Sequence, residues 1–212
     1  MSVETLFADA QLLVVAKPAG LLSVPGRGED KQDCLVSRLH ADRPDALVVH
    51  RLDMATSGLM VFARDPATQA PLGRAFAERR VFKRYVAVVG GRPDTGDIDD
   101  EGWSVIALPL VADWPRRPLQ KVDHAAGKAS TTRWRALAHD PATDTTRVEL
   151  EPLTGRTHQL RVHLLAIGHP ILGDALYGDA AGAPRLLLHA RSLAFAHPST
   201  GQALRFDHEA PF

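Results

Sequence analysis

Apolar runs broken by Pro, Gly and charged positions divide the chain into short segments. "LLVVAK", Leu12 to Lys17, is apolar up to its last residue, and "KPAGLLSVPGRG" follows with repeated Pro-Gly signals. That pattern predicts a buried strand and then turns. "DCLVSRLHADRP" predicts a short helix stopped before Pro44. "ALVVHRL" and "GLMVFAR" predict two strands joined by the "DMATS" loop. In "DPATQAPLGRAFAERR", Asp65 is placed to cap a helix whose first residue is Pro66, while Pro71 is expected to kink it or delay its start. "VFKRYVAVVGG" predicts a strand with Lys83, Tyr85 and Ala87 on one face and Arg84, Val86 and Val88 on the other.

The stretch Arg92 to Arg135 is rich in Pro, Gly, Asp and bases, and reads as an irregular excursion holding short strands. "TTRVELEP", Thr145 to Pro152, alternates as a strand does. "TGRTHQLRVHLLAIGHP" has helical spacing at Leu160, His163, Leu164 and Ile167 and a stop at Gly168, with Pro170 beyond. "RLLLHARSLAFAHPSTGQALRF" predicts strands around a turn at "HPSTG". There is no internal repeat, low-complexity tract or linker. The fold class expected is α+β, a single domain over residues 1–212 dominated by antiparallel strands.

Length and composition narrow this picture. A chain of 212 residues suits one domain, or one domain with two lobes, and 45% hydrophobic content supplies a sizeable core. No apolar run approaches the roughly 18 residues of a membrane span. "MSVETLFADAQ" has acids and no basic start, unlike a secretory signal, and a single cysteine, Cys34, fits a reducing cytoplasm. Cysteine pairs and an HExxH pattern are absent from the sequence, so no metal site is expected.

Lys+Arg and Asp+Glu balance at 25 each, which argues against nucleic-acid binding by net charge alone. Their placement changes the picture. "RAFAERRVFKR" holds Arg74, Arg79, Arg80, Lys83 and Arg84 against Glu78, and "WPRRPLQKVDHAAGKASTTRWR" holds its bases, Arg116 and Arg117 among them, against Asp123. Acids gather in "DTGDIDDE". A neutral protein can thus present one basic face to a polyanion, although such runs are also ordinary solvated surface.

Three polar groups stand out. Asp53 follows His50 and Arg51 at the mouth of two apolar runs, where it is either a loop cap for "MATSG" or a nucleophile or base. Arg161 lies on the helix of "LTGRTHQLRVHL", turned partly inward, where it needs a carboxylate; Asp53 is one candidate, and a structural ion pair is as good a reading as a catalytic one. Tyr85, among bases on a strand, is either a packing residue or a platform for a nucleobase.

"HRLDMATSGLMVFA" resembles the catalytic motif of the RluA-type pseudouridine synthases, His-Arg-Leu-Asp-x-x-Thr-Ser-Gly. "KRYVAVV" is similar to that family's tyrosine strand, "LTGRTHQLRVHLLAIGHPILGDALYG" to its third motif, "RLLLHARSLAFAHP" to its closing strands and "VAKPAGLLSVPG" to its opening segment. The blocks keep the family's order over nearly the whole chain. "GLLSVPGRGED" and "ADWPRRPLQKV" further resemble the dual-specificity branch that modifies tRNA and large-subunit rRNA. The S4 domain that several relatives carry is not expected, because the resemblance to the catalytic body starts near Leu12.

The resemblance implies a mixed, mostly antiparallel sheet with flanking helices and a central RNA cleft, and an isomerase that works without a cofactor. It implies Asp53 as the essential carboxylate, Tyr85 stacked on the uracil and Arg161 beside Asp53. Arg51 would fill the space a flipped uridine leaves. His50 and Leu164 would line the pocket, and Arg79, Arg80, Arg116 and Arg117 would hold phosphates. The partners expected are a tRNA anticodon stem-loop and 23S rRNA, met by a cytoplasmic monomer with no membrane contact. A non-catalytic RNA-binding module, a carboxylate-dependent hydrolase and a family member acting on another uridine are the alternatives.

Overall fold

The computed structural model describes residues 3–212, so the first two positions of the expected 1–212 domain lie outside it. The chain packs as two units. One comprises the chain up to Lys83 together with His189–Phe212, and the other is Arg84–Leu188.

The first unit is built on a sheet whose central strand β4 (Ser57–Ala63) is buried at every residue. On one side it pairs antiparallel with β2 (Leu12–Lys17), which in turn pairs with β1 (Glu4–Ala8). On its other side β3 (Leu47–Val48) covers the end of β4, and β11 (Leu188–Ala196) covers its start in parallel register, His189 opposite Ser57. β12 (Ala203–Asp207) closes the far side of β11 as a hairpin. The alternate residues Leu12 and Val14, Leu59 and Val61, and Leu193 and Phe195 share one face. Leu72 and Ala75 of α2 (Pro66–Ala77) pack there, and burying a side chain the size of Leu72 contributes roughly 1.5–3 kcal/mol.

α2 starts where the sequence predicts it. The Thr68 amide donates to Asp65 Oδ1 at 2.7 Å, and Pro66 occupies the first turn. Pro71 does not delay it: the helix runs through that residue. The bond Pro71 forfeits belongs to the carbonyl of Ala67, which lies on the exposed side of the first turn and can be met by water. α1 (Leu35–His40) begins at Cys34, whose Sγ accepts from the Ser37 amide at 3.4 Å. Cys34 is buried, the small core residue its neighbours suggest.

The second unit holds an antiparallel ladder in the order β5 (Phe82–Gly90), β10 (Thr145–Pro152), β9 (Thr131–Asp140), β6 (Ser104–Ala107). The first two residues of β5 belong to the first unit. β7 (Leu110–Ala112) and β8 (Gln120–Val122) form a separate hairpin. It rests on α3 (Gln159–Ala166) through Leu110, Leu119, Val122 and Val162, with Tyr177 closing the cluster. The excursion predicted for Arg92 to Arg135 therefore contains three short strands and the start of β9.

Candidate active site

The Asp53 loop of the first unit is held by backbone atoms that the opening segment captures. Ser23, buried, donates through Oγ to the Leu52 carbonyl at 2.7 Å and accepts from the Leu52 amide at 3.1 Å. The Met54 carbonyl accepts from the Gly20 amide at 2.9 Å and from Lys17 Nζ at 3.0 Å. Lys17 also donates to the carbonyls of Pro18 (2.9 Å) and Leu21 (2.7 Å), so all three ammonium protons have acceptors. The Thr56 amide donates to the Asp53 carbonyl at 3.1 Å and closes the turn. Asp53 is half-buried, and Arg51 points to solvent.

Lys17 is 1% exposed. Burial pulls its pKa down to about 7, against the opposing pull of the Asp53 carboxylate, so the two charges lie within electrostatic reach. Sequence reasoning missed this lysine, because it reads as the polar end of a strand. The signal was there in principle, since a Lys that ends a wholly apolar run cannot easily reach water.

Ser57, the residue after the turn, donates to or accepts from His189 Nδ1 at 2.9 Å. His189 Nε2 meets His208 Nδ1 at 3.0 Å, and His208 Nε2 reaches Glu4 at 3.3 Å. Gly58 has a φ of +113°, and a Cβ there would stand 2.3 Å from the Ala190 carbonyl oxygen. Only glycine admits β11 this close to the start of β4.

His50 is tied into the first unit as a neutral ring. Its ring stacks on Phe76 at 4.3 Å, and its Nε2 accepts from the Val61 amide at 3.1 Å. Enclosure, with the Lys83 charge adding to it, lowers its pKa to about 3. A neutral His50 fixes β4 and offers no cation to a phosphate at neutral pH.

In the second unit, the third motif is a network of buried polar groups. The Gln159 side chain accepts from Thr154 Oγ1 (2.7 Å) and the Arg156 amide (3.0 Å), and donates to the Thr131 carbonyl (2.9 Å) and Thr132 Oγ1 (3.0 Å). His163, wholly buried, bridges Thr132 and the Leu108 carbonyl, and burial lowers its pKa. His158 caps α3 in a left-handed conformation (φ +54°) and bonds to the Tyr177 hydroxyl at 2.7 Å. Among the described residues, no group of three or more His, Cys, Asp or Glu is arranged to hold a metal ion.

Arg161 is 3% exposed and has a carboxylate from within its own unit. Its Nε and Nη2 donate to the two oxygens of Asp174 at 2.8 and 2.6 Å, and its guanidinium lies 4.9 Å over the Tyr177 ring. Asp174 also accepts from the amides of Leu176 and Tyr177. The charge is thereby matched at both ends, the condition for burying an ion pair at small cost. Sequence reasoning considered Asp53 and did not weigh Asp174, only thirteen positions onward.

Tyr85 is half-buried on β5 opposite Leu150. Leu164, on α3, is 0% exposed and packs into the core. This follows from the helix period, which turns Leu160 and Leu164 inward together. Arg79, Arg80, Arg116 and Arg117 are exposed. Arg80 pairs with Glu78 at 2.7 Å and Arg116 with Asp113 at 2.6 Å. Thus His50, Arg51, Asp53, Arg79 and Arg80 belong to the first unit, and Tyr85, Arg116, Arg117, Arg161 and Leu164 to the second.

The fold and the ordered motifs define one class of protein, a mostly antiparallel α+β pseudouridylate synthase. Human RNA pseudouridylate synthase domain containing 1 matches with a TM-score of 0.79 and 31% identity, over 99% of this chain and 84% of that one. Human RNA pseudouridylate synthase domain containing 4 matches with a TM-score of 0.75 and 25% identity, over 98% of this chain and 88% of that one. The dual-specificity RNA pseudouridine synthase RluA of Escherichia coli K12 is 48% identical over 210 residues, 98% of this chain and 93% of that protein. A family model described as RNA pseudouridylate synthase covers residues 11–166. The chain belongs to the RNA pseudouridylate synthase family.

Proposed function

We propose that this RNA pseudouridine synthase acts on two substrates, a uridine on the 5′ side of a tRNA anticodon loop and a loop uridine of 23S rRNA, as a monomer in the cytoplasm. The observation that carries this reading is the 48% identity, over nearly the full length of both chains, to a synthase named for its dual specificity.

The reaction breaks the N1–C1′ bond of uridine, turns the uracil and joins C5 to C1′, with loss of the C5 proton and uptake of one proton at N1. Atoms and charge balance without an oxidant or external energy. Asp53 supplies the carboxylate, either attacking C1′ or taking the C2′ proton to give a glycal. Tyr85 stacks on the uracil and assists removal of the C5 proton. Arg161, held by Asp174, is the third member of the set. Arg51 takes the place of the extruded base, which leaves its stack at a cost of about a few kcal/mol. Arg79, Arg80, Arg116 and Arg117 hold phosphates, a contact that positions RNA without reading its sequence. What supports the roles of the Asp53 loop is its rigidity: Ser23, Lys17 and Gly20 fix the atoms on either side of Asp53.

An anticodon stem-loop tritiated at uridine C5 tests the assignment. The expected result is release of tritium to water with no change in RNA mass apart from isotope, from the stem-loop and from a 23S fragment. Release from the rRNA fragment alone would overturn the dual specificity, and chain cleavage would overturn the isomerase.

A further inference from the structure

The sequence contains three tryptophans, and the structure treats them in opposite ways. Trp103 and Trp134 are 3% and 2% exposed, whereas Trp114 is 63% exposed. An indole left in water forgoes the largest apolar burial any side chain offers, so its position needs a reason. Trp114 opens a single 3-10 turn, Trp114–Arg116, between β7 and β8.

The turn is rigid. The Asp113 amide donates to the Leu119 carbonyl at 2.9 Å, the Arg116 amide to the Asp113 carbonyl at 2.9 Å, and the Leu119 amide to the Arg116 carbonyl at 3.0 Å. Arg116 closes back on the buried Asp113 carboxylate, Nε to Oδ2, at 2.7 Å. Below the turn, Leu119 and Val122 pack with Leu110, Val162 and Tyr177, and the Gln120 amide donates to the Tyr177 hydroxyl at 2.8 Å. The hairpin is thus fixed on α3 while its tip, Trp114 to Pro118, stands in solvent.

The indole is also electrostatically dressed. The Arg117 guanidinium lies 4.0 Å over the ring, and Arg116 is largely exposed beside it. A flat aromatic surface flanked by two cations matches an unstacked nucleobase with its phosphates: the ring takes the base face, and the guanidinium groups take the charge. A protein partner would use the ring but gain nothing from the two arginines unless it were acidic.

We infer that Trp114 is a stacking platform for an unpaired base of the RNA substrate, with Arg116 and Arg117 gripping the adjoining phosphates, so that this hairpin tip takes part in choosing which loop is bound. The inference rests on RNA being the substrate and adds a residue that the catalytic set does not contain.

The uneven burial of the tryptophans supplies the probe. In the free protein, acrylamide quenches chiefly the Trp114 emission. On adding an anticodon stem-loop, that fraction becomes shielded. Trp114→Ala abolishes the shielding and weakens binding on the order of 10- to 100-fold, the range for one base stacked on one aromatic ring. The loss appears in KM rather than in kcat, and Trp114→Phe recovers most of it. Circular dichroism and melting temperature stay as in the wild type, because the side chain packs on no core. Placing one abasic nucleotide at each loop position in turn identifies the base: at that position alone, Trp114→Ala produces no further loss. Wild-type protein that modifies the stem-loop while Trp114 stays open to acrylamide, or a Trp114→Ala variant with unchanged KM, overturns the inference and leaves the synthase reading intact. Wild-type protein that neither binds nor modifies any RNA removes both.

Discussion

Lys17 illustrates how one side chain can tie a motif together and remain hidden in the sequence. Its neighbours in β2 are apolar, its ammonium is surrounded by three carbonyls, and the Asp53 carboxylate acts on it electrostatically. Burial favours the neutral amine and moves the pKa from 10.5 to about 7. Below pH 7 the lysine is protonated in both folded and unfolded chains, and the buried charge is a standing penalty. Between pH 7 and 10.5 the unfolded chain keeps a proton that the folded chain has released, so stability rises with pH, by on the order of 4–5 kcal/mol across the whole window. Lys17→Met lacks this term. The melting temperatures of wild type and variant, compared at about pH 6.5, below the window, and at about pH 9.5, within it, should diverge in the wild type's favour at the higher pH. A constant gap would mean that the carbonyls and Asp53 keep the lysine charged throughout. Arg161 shows what was and was not legible at this scale: its need for a carboxylate followed from its place on an apolar helix, but the choice of Asp174 depended on a turn that no periodicity reports.

Elements with a strong pattern were legible, and those organised by charge were not. β2, β5, β10 and both long helices fall where apolar spacing, capping and Pro-Gly signals put them. β9 was hidden because its residues are held by ion pairs as much as by apolar burial: Arg135 binds Glu149, and Arg133 binds Glu151, Asp99 and Glu101. Trp103 lies within reach of Arg84, Arg133 and Arg135, so the face is a cation–aromatic layer that an apolar count does not detect. β1, with exposed residues at both ends, is likewise too polar to stand out. The junction of β4 with β11 gives this scale its test. Gly58→Ala places a Cβ 2.3 Å from the Ala190 carbonyl at a φ of +113°, and should destabilise by about 3 kcal/mol through strain and overpacking. Gly73→Ala, in α2 with open space around it, should instead stabilise by about 0.5–1 kcal/mol. Urea midpoints of the two variants should move in opposite directions. A Gly58→Ala protein with the wild-type midpoint would contradict the described crossing of β4 and β11.

For the whole molecule, composition alone was a poor guide, since the formal charge is zero. The distribution of charge and the order of the motifs carried the functional reading, and family membership rests on a match spanning residues 11–166. The residues proposed for catalysis were legible as chemistry because their types are unusual for their apolar settings. The supports behind them, Lys17, Ser23, His189 and Asp174, were not, because each acts through contacts distant in sequence or through backbone atoms. Asp53→Asn decides whether the loop is built for chemistry. The amide keeps the shape and an acceptor oxygen while removing the charge and the reactive carboxylate. Melting temperature, stem-loop dissociation constant and C5 tritium release should be measured on that one variant. Wild-type melting and binding with tritium release below detection is the result expected of a catalytic Asp53; a folded Asp53→Asn protein that still releases tritium at a substantial rate would contradict it.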